Sequence, residues 1–287
     1  MLAGMFALPL LLGLVVAGAN IITNDPAQPI ARDVAIADGR FVYVGNDLAS
    51  ARAAAGPGAR VLDAEGATVV PGFNDAHVHF GLSLTIGADE ALDLGDGPGD
   101  RATLWHAITE AAARPVAPFH HDWIFVVTRT VPRDVRTAAD LPHLTRPLFI
   151  VTERGGILNA IAQRRIKLSA HDAPAGHIYG RMLPAALDRV VKSLPRPVLE
   201  TGAHRFFAEL ARLGITSVQL MDELPALFES MLEQGTLTAR VRMIAFGLRF
   251  ETERYVPHYQ SPDGDWLRSD AVKYFDDDWA RLPRAEL

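Results

Sequence analysis

The sequence predicts an α/β protein in which a small strand-rich unit precedes a parallel sheet or barrel. Three observations carry that prediction. Residues 14–70 read as short alternating strands separated by turn signals. From Thr201 onward, helices alternate with single buried strands, the pattern that builds a parallel sheet. Between these regions an apolar strand breaks at Pro71-Gly72 and delivers His77 and His79 to its carboxyl end, where parallel α/β folds place their active sites.

Composition narrows the possibilities. The chain has 287 residues, enough for one large domain or two smaller ones. Apolar residues make up 49% and charged residues 22%, which fits a globular core and excludes disorder. A formal net charge of -6 offers no basic stripe for nucleic acid. The absence of cysteine excludes disulfides and thiolate metal sites, so a metal would be held by His, Asp, Glu or a modified side chain.

Residues 1–19 carry no charge and are mostly apolar. Three readings compete for them. One is a signal peptide with Ala17-Gly18-Ala19 as its cleavage site, although a basic leading region is missing. A second is a membrane anchor, since the length just suffices to span a bilayer. The third is an apolar extension leading into a first strand at Leu14-Val15-Val16. A cytoplasmic location and export or membrane anchorage both stay open.

The strand-rich unit follows in order. Ile21-Ile22-Thr23 leads to a turn at Asn24-Asp25-Pro26. Residues 33–37 alternate and meet Asp38-Gly39, a strong hairpin signal, with residues 41–45 as the returning strand. Residues 48–55 predict a short helix closed by Gly56-Pro57-Gly58. Residues 60–63 and 67–70, flanking Glu65-Gly66, predict a second hairpin and complete an antiparallel unit.

Beyond His79 the periodicity changes. Thr103 is placed to cap a helix reaching Ala113, and residues 123–127 and 148–151 predict strands. Residues 155–196 read as irregular, with one helix near 184–193. A helix from Thr201 ends at Gly214, in the position of a C-terminal cap. A strand over 215–221, a helix capped by Asp222 and ending at Gly235, and strands over 241–246 and 271–275 follow.

His77 and His79 are the leading candidates for chemistry. In an extended segment, alternate side chains share a face, so the two imidazoles point one way and Val78 the other. Two ligands do not complete a site, because a catalytic zinc usually has three protein ligands and one open position. Asp75 is expected to orient the backbone or a histidine ring as a supporting partner. His120, His121 and His143 sit in polar contexts and are expected to be solvated, and His204 is expected at a surface in the first turn of its helix. His171 and His177 flank a Gly/Pro loop that can approach a pocket, and His258 has no supporting pattern.

The stretch Val69-Val70-Pro71-Gly72-Phe73-Asn74-Asp75-Ala76-His77-Val78-His79 resembles the first metal motif of the amidohydrolase superfamily. Gly18-Ala19-Asn20-Ile21-Ile22-Thr23, the 34–40 segment and Val44-Gly45 resemble the β-sandwich unit that precedes its barrel. Ala139-Asp140-Leu141, the 146–150 segment, Leu158-Asn159, the 172–176 segment and Gly214-Ile215-Thr216-Ser217-Val218 are similar to the family 3 branch, which includes N-substituted formamide deformylase-like proteins. The resemblance implies a partial TIM-type (β/α) metal-dependent hydrolase barrel over residues 71–287, with an inserted region at about 81–200, preceded by a β-sandwich unit over 14–70.

The resemblance also implies roles. His77 and His79 would hold a divalent metal of the zinc type, and Lys273, in a strand similar to the family's lysine strand, would bridge as a carbamate. A snorkelling lysine is the plain alternative. Asn159, in a segment similar to the family, is a candidate substrate contact. The partner implied is a small amide-like molecule. Family members usually add two later histidines and an aspartate, and this sequence ends before any such positions. Two functional classes follow: a metal-dependent hydrolase of non-peptide C–N bonds, or an inactive truncated fragment or metal- or ligand-binding module. For the second, uncovered strand edges predict homo-oligomerisation or a partner.

Overall fold

The computed structural model describes residues 13–87, 91–153, 155–180, 182–221, 224–246, 259–260 and 266–273. The chain forms two compact units, Met1–Gly72 and Phe73–Leu287.

The first unit contains β1 (Leu14–Ala17), β2 (Asn20–Ile22), β3 (Ile30–Ala31), β4 (Asp33–Ala37), β5 (Arg40–Gly45), α1 (Leu48–Ala55), β6 (Arg60–Asp63) and β7 (Thr68–Val69). One sheet has the order β5-β4-β1-β6 and the other β3-β2-β7. The hairpin between β4 and β5 turns through Asp38 and Gly39 at φ 49° and 71°, the left-handed pair that a two-residue type I′ turn requires. Asp47 caps α1 by accepting from the backbone N–H groups of Ala49 and Ser50. Ala51 and Ala55 on α1 then bury against Val15, Ala17 and Ala35.

The hairpin expected from residues 60–63 and 67–70 does not form. β6 runs parallel to β1 and β7 runs parallel to β2, in separate sheets. The cause is a shared bend. β1 passes into β2 through Gly18 at φ 67°, and the accompanying chain bends through Glu65 and Gly66 at φ 48° and 82°. Backbone hydrogen bonds from Ala64 to Ala17 and from Gly66 to Gly18, each 2.8 Å, keep the two segments side by side through the bend. The unit is therefore of mixed parallel and antiparallel pairing, not antiparallel throughout.

The second unit runs β8 (Phe73–Val78), α2 (Phe80–Thr85), β9 (Ala91–Asp93), α3 (Arg101–Ala113), β10 (Ile124–Val127), β11 (Leu148–Thr152), β12 (Gly155–Leu158), α4 (Ala160–Arg165), β13 (His177–Tyr179), α5 (Met182–Ser193), α6 (Arg196–Arg212), β14 (Ile215–Leu220), α7 (Pro225–Glu233), β15 (Arg240–Phe246), β16 (Tyr259–Gln260) and β17 (Leu267–Lys273). One sheet has the order β16-β17-β15-β14-β8. Within it β8, β14, β15 and β17 are mutually parallel, and β16 pairs antiparallel with β17. The other sheet, β13-β12-β11-β10-β9, is drawn wholly from chain between α2 and β14. The core beneath the first sheet joins Val218, Leu220, Val241, Met243 and Leu267 to Phe207, Leu210, Phe228 and Met231 of α6 and α7.

The described residues between 155 and 196 form regular strands and helices, against expectation. Gly155 and Gly156 read as loop residues but belong to β12, because neighbouring groups crowd both Cα atoms. A Cβ on Gly155 would lie 2.1 Å from the Ile178 carbonyl oxygen, and one on Gly156 would lie 2.6 Å from the Phe149 ring. Helix starts also move. Asp100, not Thr103, caps α3, accepting from the Thr103 N–H at 2.7 Å. α6 begins at Arg196, behind Pro195, rather than at Thr201. The expected cap Asp222, and Tyr274 and Phe275 of the last predicted strand, lie outside the described residues.

Candidate metal centre

β8 carries His77, and His79 follows at its carboxyl end as the N-cap residue of α2. The strand is not regular. Asp75 is opposite Val218 and Val78 is opposite Leu220, so three steps on β8 match two on β14. This is a β-bulge, a device that re-aims side chains beside functional sites. The Val78 carbonyl then accepts from the Met221 N–H at 2.9 Å, which fixes the peptide between the two histidines.

The geometry brings the two rings together. His77 Nε2 and His79 Nε2 are 3.1 Å apart, with ring planes inclined at 51°. Two nitrogens at that separation, each about 2.0–2.1 Å from one ion, subtend about 98° at it. That angle lies between octahedral and tetrahedral values, so the donor set fits a divalent cation. A ring-to-ring hydrogen bond would instead need one Nε2–H and one lone pair, whereas a metal takes both lone pairs and requires both rings to keep their proton on Nδ1. Asp75 accepts from the His77 backbone N–H at 3.1 Å, tying down the bulge from which that histidine projects.

α2 is anchored immediately beyond the pair. Phe80 is fully buried, with its ring 5.3 Å from Phe206 and 5.7 Å from Phe228, both edge-on. Lys273 is the last residue of β17 and stands opposite Phe246. Its backbone is therefore at the carboxyl edge of the same parallel sheet, three strand positions from β8, or about 14 Å if that sheet were flat. Among the described residues no group of three or more His, Asp or Glu is arranged to hold a metal ion.

The other candidates are placed as follows. Asn159 is buried and caps α4. Its Oδ1 accepts from Ala162 at 2.9 Å and Leu148 at 3.2 Å, and its amide donates to the Arg146 carbonyl at 2.9 Å. That role in the scaffold accounts for the residue and leaves its oxygen fully used, contrary to the expected substrate contact. His121 is buried, not solvated: its Nε2 bonds the Leu84 carbonyl at 2.8 Å, and its ring packs edge-on against Phe125. His143 and His204 are exposed, the latter in the middle of α6 because that helix starts early. His171 is exposed, and His258 is outside the described residues.

His177 donates from Nε2 to the Arg136 carbonyl, and its Nδ1 receives the Tyr179 hydroxyl at 3.0 Å. Burial lowers its proton affinity, with Asp140 pulling the other way. The bulge in β8 and the buried role of His121 had no local signature. Both depend on pairing with chain far away in sequence.

Comparison with known proteins places this geometry. A family model described as "Amidohydrolase family" matches residues 60–287. The N-substituted formamide deformylase of Arthrobacter pascens is 41% identical over 170 residues, covering 55% of this chain and 30% of that protein. An adenine deaminase of Paracoccus denitrificans is 43% identical over 80 residues, covering 28% of this chain and 13% of that protein. The solved structure of an uncharacterized metal-dependent hydrolase from Pyrococcus horikoshii superposes with a TM-score of 0.69 at 18% identity, over 91% of this chain and 54% of that one. The chain thus spans about half of that structure, and its matched stretches span less than a third of these curated relatives. The fold is that of the TIM-type metal-dependent hydrolases.

Proposed function

Because this chain belongs to the amidohydrolase family, we propose that it is built for metal-assisted hydrolysis of a C–N bond in a small amide-like molecule. The observation that carries the reading is the convergence of His77 Nε2 and His79 Nε2 to 3.1 Å at the carboxyl end of a parallel strand. A divalent cation held there supplies Lewis acidity, polarising the bond to be cleaved and activating water. Zinc is the proposed ion, since imidazole suits it and the chain has no thiolate to offer.

The chain's own residues divide the remaining work. His77 and His79 bind through Nε2. Asp75 holds the His77 backbone, and Phe80 holds the start of α2, so the two rings are arranged before any ion arrives. Lys273, as a carbamate, is the proposed further ligand, supported by its place at the carboxyl edge of the same sheet. The formamide deformylase relative supports an N-substituted formamide as substrate, and the adenine deaminase relative supports adenine as a second compound to test.

The experiment is metal analysis joined to an assay. The purified chain, with His77→Ala and His79→Ala variants, is measured for bound metal and for hydrolysis of an N-substituted formamide and of adenine with added zinc. Near-stoichiometric metal, lost in both variants together with turnover, is the expected outcome. No metal in the parent chain overturns the centre. Metal without turnover on either compound overturns the hydrolase reading and leaves a binding module.

A further inference from the structure

Glycine is the poorest helix former after proline, so a glycine inside a long helix needs a reason. Gly202 is such a residue, buried within the 17-residue α6. The reason lies on the facing helix. A Cβ at this position would lie 2.1 Å from Leu84 Cδ2, 3.3 Å from Cγ and 3.4 Å from Cδ1. Leu84 is only 4% exposed, so close packing leaves a displaced methyl group no open space to enter. Gly202 therefore makes a notch in α6, and the Leu84 side chain fills it.

The notch bears on the histidine pair because Leu84 belongs to α2, the helix that starts at His79. Residues four apart share one face of a helix, and the pairing here runs antiparallel: Phe80 meets Phe206 and Leu84 meets Gly202. Both ends of α2 thus rest on α6. The far end is held a second time, since the Leu84 carbonyl accepts from His121 Nε2 at 2.8 Å. His79 and Leu84 are five residues apart, about 7.5 Å along the axis, so a shift at Leu84 carries His79 with it.

The two candidate ligands are therefore positioned from different places. His77 is held by β8, through Asp75 and the hydrogen bond between the Val78 carbonyl and Met221. His79 is held by α2, and through it by α6. Moving α2 would change the 3.1 Å separation of the two Nε2 atoms while His77 stayed in place.

We propose that Gly202 is a positioning residue for the metal centre: by seating Leu84 it sets where α2 begins and holds His79 against His77. This rests on the metal-binding reading of the histidine pair given above.

The test is a cycle of four whole chains: the parent, Gly202→Ala, Leu84→Ala and the double variant. Zinc affinity is measured by calorimetry and stability by thermal unfolding. Gly202→Ala should weaken zinc binding about tenfold and lower Tm. The double variant should regain the parent's zinc affinity, because Leu84→Ala removes all three atoms that the new Cβ meets. Its Tm should stay below the parent's, since a buried leucine is lost. In the Leu84→Ala background, Gly202→Ala should raise Tm, the reverse of its effect in the parent, because alanine favours the helix. That comparison stands even where Gly202→Ala alone does not fold.

A purely structural role for Gly202 would make zinc affinity follow Tm across the four chains, and that result overturns the proposal. Parent-like zinc affinity in Gly202→Ala also overturns it. A fall in Tm on adding Gly202→Ala in both backgrounds shows that the glycine does not accommodate Leu84, and overturns it too. Absence of zinc binding by the parent overturns the metal centre and the positioning role with it, and the reversal of sign in Tm then separates that failure from an error in the packing.

Discussion

Replacing Phe80 by alanine tests how the histidine pair is held in place. Phe80 follows His79 directly and starts α2, a six-residue helix whose N-cap makes no side-chain hydrogen bond. So short a helix does not hold itself together in water, so its position depends on packing. That packing is the fully buried Phe80 ring against Phe206 and Phe228, with Leu84 buried one turn further on. A Phe→Ala change at such a site costs about 3–5 kcal/mol, and two lost edge-on ring contacts put it toward the top of that range. Domains have about 5–15 kcal/mol in total, so a third or more of the stability goes. For a unit of this size, each kcal/mol moves Tm by about 2–4 °C, giving an expected fall of roughly 10 °C. Phe80→Leu, which keeps most of the volume, should cost about 1.5 kcal/mol or less. The assay is thermal unfolding followed by circular dichroism, with bound metal measured on the same samples. A fall of less than about 2 °C with metal retained would refute the view that Phe80 anchors the start of α2.

Three further outcomes follow from the geometry. Asn159→Ala removes the cap of α4 and strands the buried Leu148 N–H, for about 2–4 kcal/mol together, measured by urea unfolding, with specific activity per folded molecule unchanged. Gly39→Ala forces a side chain into φ 71° with nothing within 4 Å of the new Cβ, so the cost is backbone strain alone, about 1–2 kcal/mol, and Gly39→Asn should recover part of it. For His177, burial lowers the folded proton affinity, so the unfolded chain takes up the proton first as pH falls. Its contribution is whole above about pH 6.5 and is lost as pH drops from there through the lowered folded value, so urea midpoints should decline over that window. His177→Gln should flatten the decline, and an unchanged slope in the variant would assign the pH dependence to other groups.

Features set by neighbouring residues were legible in the sequence. The Asp38-Gly39 turn, α1 between Asp47 and Gly56, the Gly214 stop after α6 and the strand leading to His77 all rest on local backbone preference and periodicity. Features set by distant pairing were not. β6 and β7 look like a hairpin because Glu65-Gly66 lies between them, yet their partners are β1 and β2, nearly fifty residues earlier in the chain. Gly155-Gly156 looks like a loop, and only the approach of Ile178 and Phe149 explains why glycine is needed in a strand. Asn159 and His121 show the same limit at side-chain level. Asn159 reads as a substrate contact and His121 as a solvated residue, and each is instead occupied by a backbone group brought near by tertiary packing.

The bulge in β8 connects these observations to the candidate centre. In a regular strand Asn74 and Val78, four residues apart, would share a face, and His77 and His79 would lie on the opposite one. Here Asn74 accepts from the Ser217 hydroxyl on the polar face of the sheet, while Val78 packs against the core. The extra residue between Asp75 and Val78 changes the parity, so the histidines flanking Val78 come to the polar face instead of the helix-packed one. Deleting Ala76 leaves two steps to match two, so Val78 stays opposite Leu220 and both imidazoles stay on the polar face. The expected result is retained metal, since neither ring is turned into the apolar core. An Ala76→Gly variant keeps the residue count and should keep the metal. Loss of metal by the deletion variant, measured by elemental analysis on folded protein, would show that the bulged backbone itself, and not strand parity, aims the pair.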